Sequence, residues 1–226
     1  MKQVMLLIYE LSIFKGLFYP NQSFYQLAKA ETIERWRLRI SFLLLVSAAI
    51  FSLSGWLGVG SQALSPALLH HSPAEYESLR GFFIIGRCIL GLLFAGVFLT
   101  LPALCFSLFS QETYSKFVMI QAILLPILLL EQISYIILAL KMDLPWYSSP
   151  FSLGVIGQYS TNYTYVIFLL GTISIFKIWV MVMQYRGLKP LLNLGRFPLI
   201  LLIFTVHLIS WCGTSAIAMF NFVNLL

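Results

Sequence analysis

Charged residues are scarce in this chain of 226 residues, in which Lys and Arg number 14, Asp and Glu number 8, and the charged share is 10%. A soluble globular domain carries about 25% charged residues, so there is too little polar material here to cover a water-facing surface. A net charge of +6 spread along the chain also gives no dense basic face for nucleic acid. Because 60% of the positions are hydrophobic, disorder is excluded as well. The composition indicates an integral membrane protein surrounded by the lipid bilayer.

Cysteines and catalytic motifs are equally sparse. Cys88, Cys105 and Cys212 all lie in apolar runs, where reduced thiols pack as small apolar groups. The sequence has no zinc-ligand spacing, no His-Glu-x-x-His, no Gly-x-Ser-x-Gly and no phosphate-binding loop. Ser174 and Lys177 have the spacing of a serine/lysine dyad, but the same four letters recur at residues 12–15, so chance explains them as well. We therefore predict no catalytic residue, no metal and no cofactor.

Long apolar runs, in contrast, dominate the chain. A helix needs about 20 apolar residues to cross the hydrocarbon core, because each residue rises 1.5 Å. The runs are continuous, which favours helices over the alternating strands of a barrel. The sequence thus predicts an all-α polytopic membrane protein with one transmembrane domain, residues 38–226. Its five transmembrane helices are expected at about 38–58, 82–109, 117–140, 163–184 and 199–222.

Residues 1–37 precede the first of these spans and form a segment of different character. Residues 1–14 are apolar but too short to cross a membrane, contain Glu10 and have no small-residue cleavage site after them, which argues against a signal peptide. Pro20 breaks the chain, and residues 23–37 combine good helix formers with mixed charge. We expect this segment to be helical and to lie in the cytoplasm or at the membrane interface.

The orientation follows from the distribution of basic residues between the two sides. With the N-terminus inside, the opposite loops hold only Arg80 and Lys141, and Arg87 and Lys177 lie within spans. Such a bias predicts a cytoplasmic N-terminus and, for five spans, a C-terminus outside. The ten basic residues on the cytoplasmic side are Lys2, Lys15, Lys29, Arg35, Arg37, Arg39, Lys116, Arg186, Lys189 and Arg196.

Four ionisable residues fall inside the predicted spans, and each needs an explanation because buried charge in a membrane is costly. Counting residues from the span ends places Arg87 roughly 7 Å and Glu131 roughly 13 Å below the outer surface. These two are predicted to form an ion pair. Lys177 and His207 lie at similar depth near the inner side, which favours a neutral His207, or an anion or lipid headgroup between them.

Helical projection arranges other residues into stripes. The third and fifth spans have polar stripes, and the first two have small residues that let backbones approach closely. The polar stripes have two interpretations: hydrogen bonds that hold the helices together, or a path for ions or a small solute, for which Pro126 is the sequence sign of a broken helix. The polar stripes are Gln121, Glu131, Gln132 and Tyr135, then His207, Ser210, Trp211, Thr214 and Asn221; the small residues are Ala48, Ser52, Gly55, Gly91 and Ala95.

The layout resembles the Yip-type (Ypt-interacting protein) membrane family in its bacterial form. Residues 18–24 (FYPNQSF) combine a proline with aromatics, residues 31–37 (ETIERWR) form a charged stretch with a tryptophan, and closely spaced spans follow. The resemblance covers the whole chain in layout and about twenty residues in motif. It implies a non-catalytic helper of neighbouring membrane machinery, including exporters driven by ATP-binding cassettes. The acidic-Leu-Tyr-Gly-Pro stretch of the eukaryotic members has no counterpart here, so binding of small GTPases is not implied.

We therefore expect a protein of a bacterial cell membrane that associates with another membrane complex, such as an ATP-binding-cassette exporter of peptides or antimicrobials. The candidate residues for the partner interface are Phe24, Trp36, Gly91 and Ala95. The alternative is a small carrier or channel for ions, protons or a solute that uses Glu131, Lys177 and His207. The sequence leaves the oligomeric state open.

Overall fold

The computed structural model describes residues 8–10, 13–61 and 72–220, with side chains from residue 16 onward. Asn221 of the polar stripe and Ser12 of the repeated four letters lie outside the described residues. The described chain is almost entirely helical, apart from two short paired strands, β1 (Ile8–Glu10) and β2 (Thr32–Glu34), and a 3₁₀ turn at Trp146–Ser148. Its helices are α1 (Ile13–Phe18), α2 (Pro20–Lys29), α3 (Trp36–Trp56), α4 (Pro73–Ser107), α5 (Tyr114–Met142), α6 (Gly154–Ser160), α7 (Thr164–Thr172), α8 (Ile175–Leu188) and α9 (Arg196–Met219).

Among the residues that the structure describes, four helices are long and apolar enough to cross a membrane: α3, α4, α5 and α9. They correspond to the first, second, third and fifth predicted spans, with α4 extending nine residues further towards the N-terminus than the sequence suggested. Between 28% and 39% of their apolar windows is buried inside the protein. Most of their surface is therefore left to contact lipid or other membrane proteins.

The fourth predicted span, residues 163–184, is not one continuous helix. It is divided into α7 and α8, of 9 and 14 residues, by Ile173 and Ser174. The backbone of Ile173 is extended (φ −85°, ψ 99°), and Ser174 forms an antiparallel bridge with Ser152. The amide of Leu153 donates to the carbonyl of Ile173, and the amide of Ile175 donates to the carbonyl of Phe151, each at 3.0 Å. The break is thus stabilised by backbone hydrogen bonds from residues 151–153.

The contacts divide the chain into two compact units. Unit 1 comprises residues Met1–Leu43, Gly96–Leu128 and Phe176–Ile209, and unit 2 comprises Leu44–Ala95, Leu129–Ile175 and Ser210–Leu226. The boundaries fall within helices, so α3, α4, α5, α8 and α9 contribute residues to both units.

In unit 1, the N-terminal segment is part of the core. Phe24 and Leu27 of α2 are fully buried, and a ring carbon of Phe24 would lie 3.2 Å from a Cβ placed on Gly187 of α8. Gly16 lies against the side chain of Ile123 of α5, and the Lys116 ammonium donates to the carbonyl oxygen of Ala28 at 2.9 Å. Residues 16–30 are therefore integrated into the helical core and do not extend away from it.

Unit 2 contains the close approach of α3 and α4. A Cβ on Gly91 would lie 2.9 Å from both Ala48 Cα and Phe51 Cβ, and the hydroxyl of Ser47 donates to the Gly91 carbonyl at 2.7 Å. The small residues predicted in the first two spans thus pack against each other, as expected for membrane helices whose backbones come close.

Candidate functional site

Two clusters of buried polar side chains stand out among the described residues. The first, in unit 2, is the Glu131 centre, made of Glu131, Tyr135 and Ser174 with the neighbouring loop serines 149 and 152. The second, in unit 1, is the His207 centre, made of Gln121, Gln184 and His207. Buried polar groups in membrane helices are costly unless they are hydrogen-bonded, so both clusters are candidate sites.

The Glu131 centre lies beside the break between α7 and α8. Glu131 is only 1% exposed, and its Oε1 accepts a hydrogen bond of 2.7 Å from the hydroxyl of Tyr135, one turn later on α5. The Tyr135 hydroxyl is also within hydrogen-bonding reach of the side chain of Ser174. A buried carboxyl group is therefore connected through a phenol to the residue at which the helix is broken.

The loop that pairs with this break is itself polar and tightly packed. The Ser152 hydroxyl donates to the carbonyl of Ser149 at 3.0 Å, and the Gln158 amide donates to the Ser148 hydroxyl at 2.7 Å. A side chain at Gly154 would collide with the carbonyl oxygen of Tyr147, so glycine is required there. A cavity of about 420 Å³ lies on the same loop, with Ser148 and Gln158 in its lining.

The His207 centre is a chain of three side chains from α5, α8 and α9. Nε2 of Gln184 donates to Oε1 of Gln121 at 2.8 Å, and Oε1 of Gln184 lies 2.8 Å from Nε2 of His207. Because an amide oxygen only accepts, Nε2 of His207 is the donor in this bond. Lys177 lies near enough to His207 for an electrostatic interaction, in keeping with the similar depth expected for the two residues. Gln121 and Gln184 are wholly buried, so this chain crosslinks three helices.

Arg87, the predicted ion-pair partner of Glu131, has different neighbours. Its Nη2 and Nε donate to the hydroxyl of Ser54 at 2.6 and 3.2 Å, and its guanidinium lies 5.6 Å from the ring centroid of Phe51. Arg87 thus bonds a residue of α3, whereas the carboxyl group of Glu131 accepts from Tyr135 on its own helix. Depth along the helices was an insufficient guide, because it does not specify the direction in which each side chain points.

Three of the four residues expected at a partner interface are inside the protein. Phe24 is 1% and Ala95 is 0% exposed, and Gly91 is covered by α3, so these residues pack within the chain itself. Trp36 is half-buried, with the guanidinium of Arg37 5.5 Å from its ring. The pattern of an aromatic residue after a polar stretch does not indicate whether the side chain faces a partner or the core of its own chain.

Sequence reasoning missed Ser149 and Ser152, and it considered Ser174 only as a possible dyad with Lys177, because hydropathy averages over about twenty residues. A local signal was present in Gly171-Thr172-Ile173-Ser174, where two β-branched residues follow a glycine and precede a serine. Such residues are poor in a helix interior, and serine is a favoured residue immediately before a new helix.

Within the described ranges, no group of three or more His, Cys, Asp or Glu residues is placed to hold a metal ion. No protein-family model, no curated protein and no solved structure matches this chain.

Proposed function

We propose that the chain is a non-catalytic membrane protein that associates with another membrane complex and assists or regulates it. In this proposal it crosses a bacterial cell membrane five times, with α7 and α8 together forming one discontinuous crossing. The resemblance to the Yip-type family suggests an ATP-binding-cassette exporter as the complex, with peptides or antimicrobials as its cargo.

The observation that carries this proposal is a face of small residues on the outside of α9. Gly213, Thr214 and Ala218 are all exposed, and a Cβ added to Gly213 would meet nothing within 4 Å. The hydroxyl of Thr214 is bonded to the carbonyl of Ser210 at 2.8 Å, so this hydroxyl already has an acceptor, and the larger Ile217 on the same face is 62% exposed. Small residues let membrane helices approach closely, whereas a surface that meets only lipid has no such requirement. This α9 face supports contact with a helix of another chain.

Site-specific photo-crosslinking in membranes tests the proposal. A crosslinker placed at Gly213 should capture a subunit of another membrane complex, and the same group at Ile200, an exposed apolar residue of the same helix, should give little product. Gly213→Leu should reduce the association at least tenfold, since a bulky side chain separates the helices, and Ile200→Phe should leave it unchanged. Capture of a second copy of this chain, or equal capture at both positions, would contradict the proposal.

A second candidate function is a carrier or channel that uses Glu131, Lys177 and His207. It is favoured by the discontinuous α7 and α8, because transporters commonly bind ions and substrates where membrane helices are interrupted. The buried carboxyl group of Glu131 beside that interruption supplies a group that can exchange a proton or bind a cation.

Flux measurements in liposomes distinguish the two functions. A helper moves no ions by itself, so the purified protein should leave an imposed proton or cation gradient intact. Flux that is lost in Glu131→Gln and kept in Glu31→Gln, a change in an exposed glutamate, would favour the carrier instead.

A further inference from the structure

Three polar side chains beside the break between α7 and α8 form one directed chain of hydrogen bonds. The Tyr135 hydroxyl donates its single proton to Oε1 of Glu131 at 2.7 Å. The side chain of Ser174 is a further hydrogen-bond partner of this hydroxyl. Because a hydroxyl group has only one proton to donate, Tyr135 accepts from Ser174. The chain therefore runs from Ser174 through Tyr135 to Glu131, and both donors in it point towards the carboxyl group.

Hydrogen bonds that all point in one direction can pass a proton along. When a proton arrives at Oγ of Ser174, the hydroxyl proton of Ser174 moves to Oη of Tyr135, and the hydroxyl proton of Tyr135 moves to Oε1 of Glu131. Both hydroxyl groups stay neutral, and the carboxylate becomes a carboxylic acid. Chains that end at a buried carboxyl group serve as proton relays in membrane pumps and transporters.

The polar loop that pairs with the break leads from Ser174 towards the protein surface. Ser152 forms the backbone bridge with Ser174, and its hydroxyl donates to the carbonyl of Ser149. The next residue, Ser148, accepts from the exposed side chain of Gln158, and both line the cavity of about 420 Å³. A cavity of this volume holds several water molecules. Polar groups therefore extend from a water-sized cavity to the residue at which the relay begins.

The other charged groups of unit 2 have positions or partners of their own. Between Asp143 and Lys177 the sequence contains no charged residue, so the loop, α6 and α7 bring only side chains that are neutral at physiological pH. Lys141 is exposed and lies about 15 Å further along α5 than Glu131. The guanidinium of Arg87 is bonded to Ser54. The remaining charged or titratable residues near these elements are Glu75, Glu77 and Arg80 in the first turns of α4, Asp143 after α5, Lys177 in the first turn of α8, and His70 and His71, which lie outside the described residues.

We infer that Ser174 and Tyr135 form a proton relay through which Glu131 exchanges its proton with water in the cavity beside Gln158. In the proposed topology this cavity opens to the outside, so Glu131 gains and loses its proton from that side. The inference deepens the second candidate function, because it makes the proton the ion that a carrier would use. Only the side of entry rests on the proposed topology, and proton exchange at Glu131 does not require that anything is transported.

Time-resolved infrared spectroscopy of the full chain in liposomes measures this exchange after a pH jump. The C=O stretching band of a protonated carboxyl group that is missing in Glu131→Gln belongs to Glu131. In Tyr135→Phe and in Ser174→Ala, the rate at which this band changes should fall about a hundredfold, the low end of what a positioned proton donor contributes. Ser174→Thr keeps a hydroxyl group and should retain most of the rate.

Ser134→Ala is the matched control for these variants. Ser134 lies between Glu131 and Tyr135 on α5, and its hydroxyl donates to the backbone carbonyl of Glu131 at 2.7 Å, outside the relay. This change should leave the exchange rate unaltered. Equal rates in the parent, Tyr135→Phe and Ser174→Ala would overturn the inference, and so would a carboxyl group of Glu131 that does not respond to pH.

Should the relay variants fail to fold, chemical labelling of the unaltered protein decides. Dicyclohexylcarbodiimide attaches to protonated carboxyl groups in apolar surroundings, and mass spectrometry locates the label. In right-side-out membrane vesicles, acidifying the outer solution should raise the labelling of Glu131, and acidifying the lumen should not. Labelling that follows the pH of the lumen, or of neither side, would overturn the inference. Proton exchange without flux in liposomes would exclude the carrier and leave the relay in place, so the two failures are distinguishable.

Discussion

The hydroxyl of Tyr135 and the carboxyl group of Glu131 share a hydrogen bond of 2.7 Å, one helical turn apart on α5. This bond lies within a single helix, α5. The guanidinium of Arg87 is bonded to Ser54 of α3, and its role is to connect α3 with α4. Glu131 and Arg87 thus contribute separately to the stability of unit 2, and each contribution can be measured.

Removing the Tyr135 hydroxyl should destabilise the protein. In Tyr135→Phe the buried carboxyl group of Glu131 loses a hydrogen bond, and a bond to a charged group contributes about 1.5–3 kcal/mol. Thermal unfolding in detergent should show a lowered Tm. Tyr159→Phe, at a residue that is 90% exposed, is the matched control and should leave the Tm unchanged. Equal Tm values for all three proteins would mean that the bond contributes nothing.

Arg87 and Ser54 should be coupled energetically, because the guanidinium of Arg87 donates hydrogen bonds directly to the hydroxyl of Ser54. In a double-mutant cycle of Arg87→Gln and Ser54→Ala, we expect a coupling free energy of about 1–3 kcal/mol. The cycle of Arg87→Gln with Glu131→Gln should be additive within about 0.5 kcal/mol. Strong coupling in the second cycle and none in the first would instead support the ion pair between Arg87 and Glu131 that their depths along the predicted spans suggested.

Phe24 should behave as a core residue. Phe24→Ala removes a fully buried ring from unit 1, and such a change costs about 3–5 kcal/mol in the free energy of unfolding. Tyr25→Ala, at a neighbour that is 57% exposed, should cost less than about 1 kcal/mol. A Phe24→Ala protein with normal stability and weakened partner binding would instead show that Phe24 belongs to a partner interface.

The topology can be tested with a reporter joined after Met219. The proposed topology of five crossings with a cytoplasmic N-terminus predicts that this end is outside, so a reporter that works only outside the cell should be active. A control fusion after Gln111, between α4 and α5, should be active only in the cytoplasm. Cytoplasmic activity at both positions would mean that α7 and α8 do not form a crossing.

The long helices were predictable from sequence because crossing a membrane requires an apolar run of a certain length. Residues 163–184 satisfied the same criterion on average, yet Ile173 and Ser174 interrupt the helix. The backbone groups of Ile173 and Ile175 on either side of this break bond Leu153 and Phe151, which lie about twenty residues earlier in the chain, so no local window contains both halves of this arrangement. Pro126, in contrast, is a helix breaker by composition but lies within the continuous α5.

The sequence could predict which residues belong to the candidate site, but not which contacts they make. Periodicity correctly indicated that Glu131 and Tyr135 share a face, since residues four apart on a helix are neighbours. It could not indicate that Arg87 turns to Ser54, or that Ser210 and Thr214 are exposed while His207 and Trp211 are buried. Periodicity assigns residues to a face of one helix, and the packing of the other helices determines what that face meets.

The break between α7 and α8 also affects how the protein is made. An uninterrupted apolar helix can enter the bilayer alone, because its backbone hydrogen bonds are all internal. Ile173 and Ile175 instead require Phe151 and Leu153 as backbone partners. In the proposed crossing by α7 and α8, correct insertion therefore requires residues 151–153 to pair with the break, because neither helix alone satisfies these backbone groups in hydrocarbon.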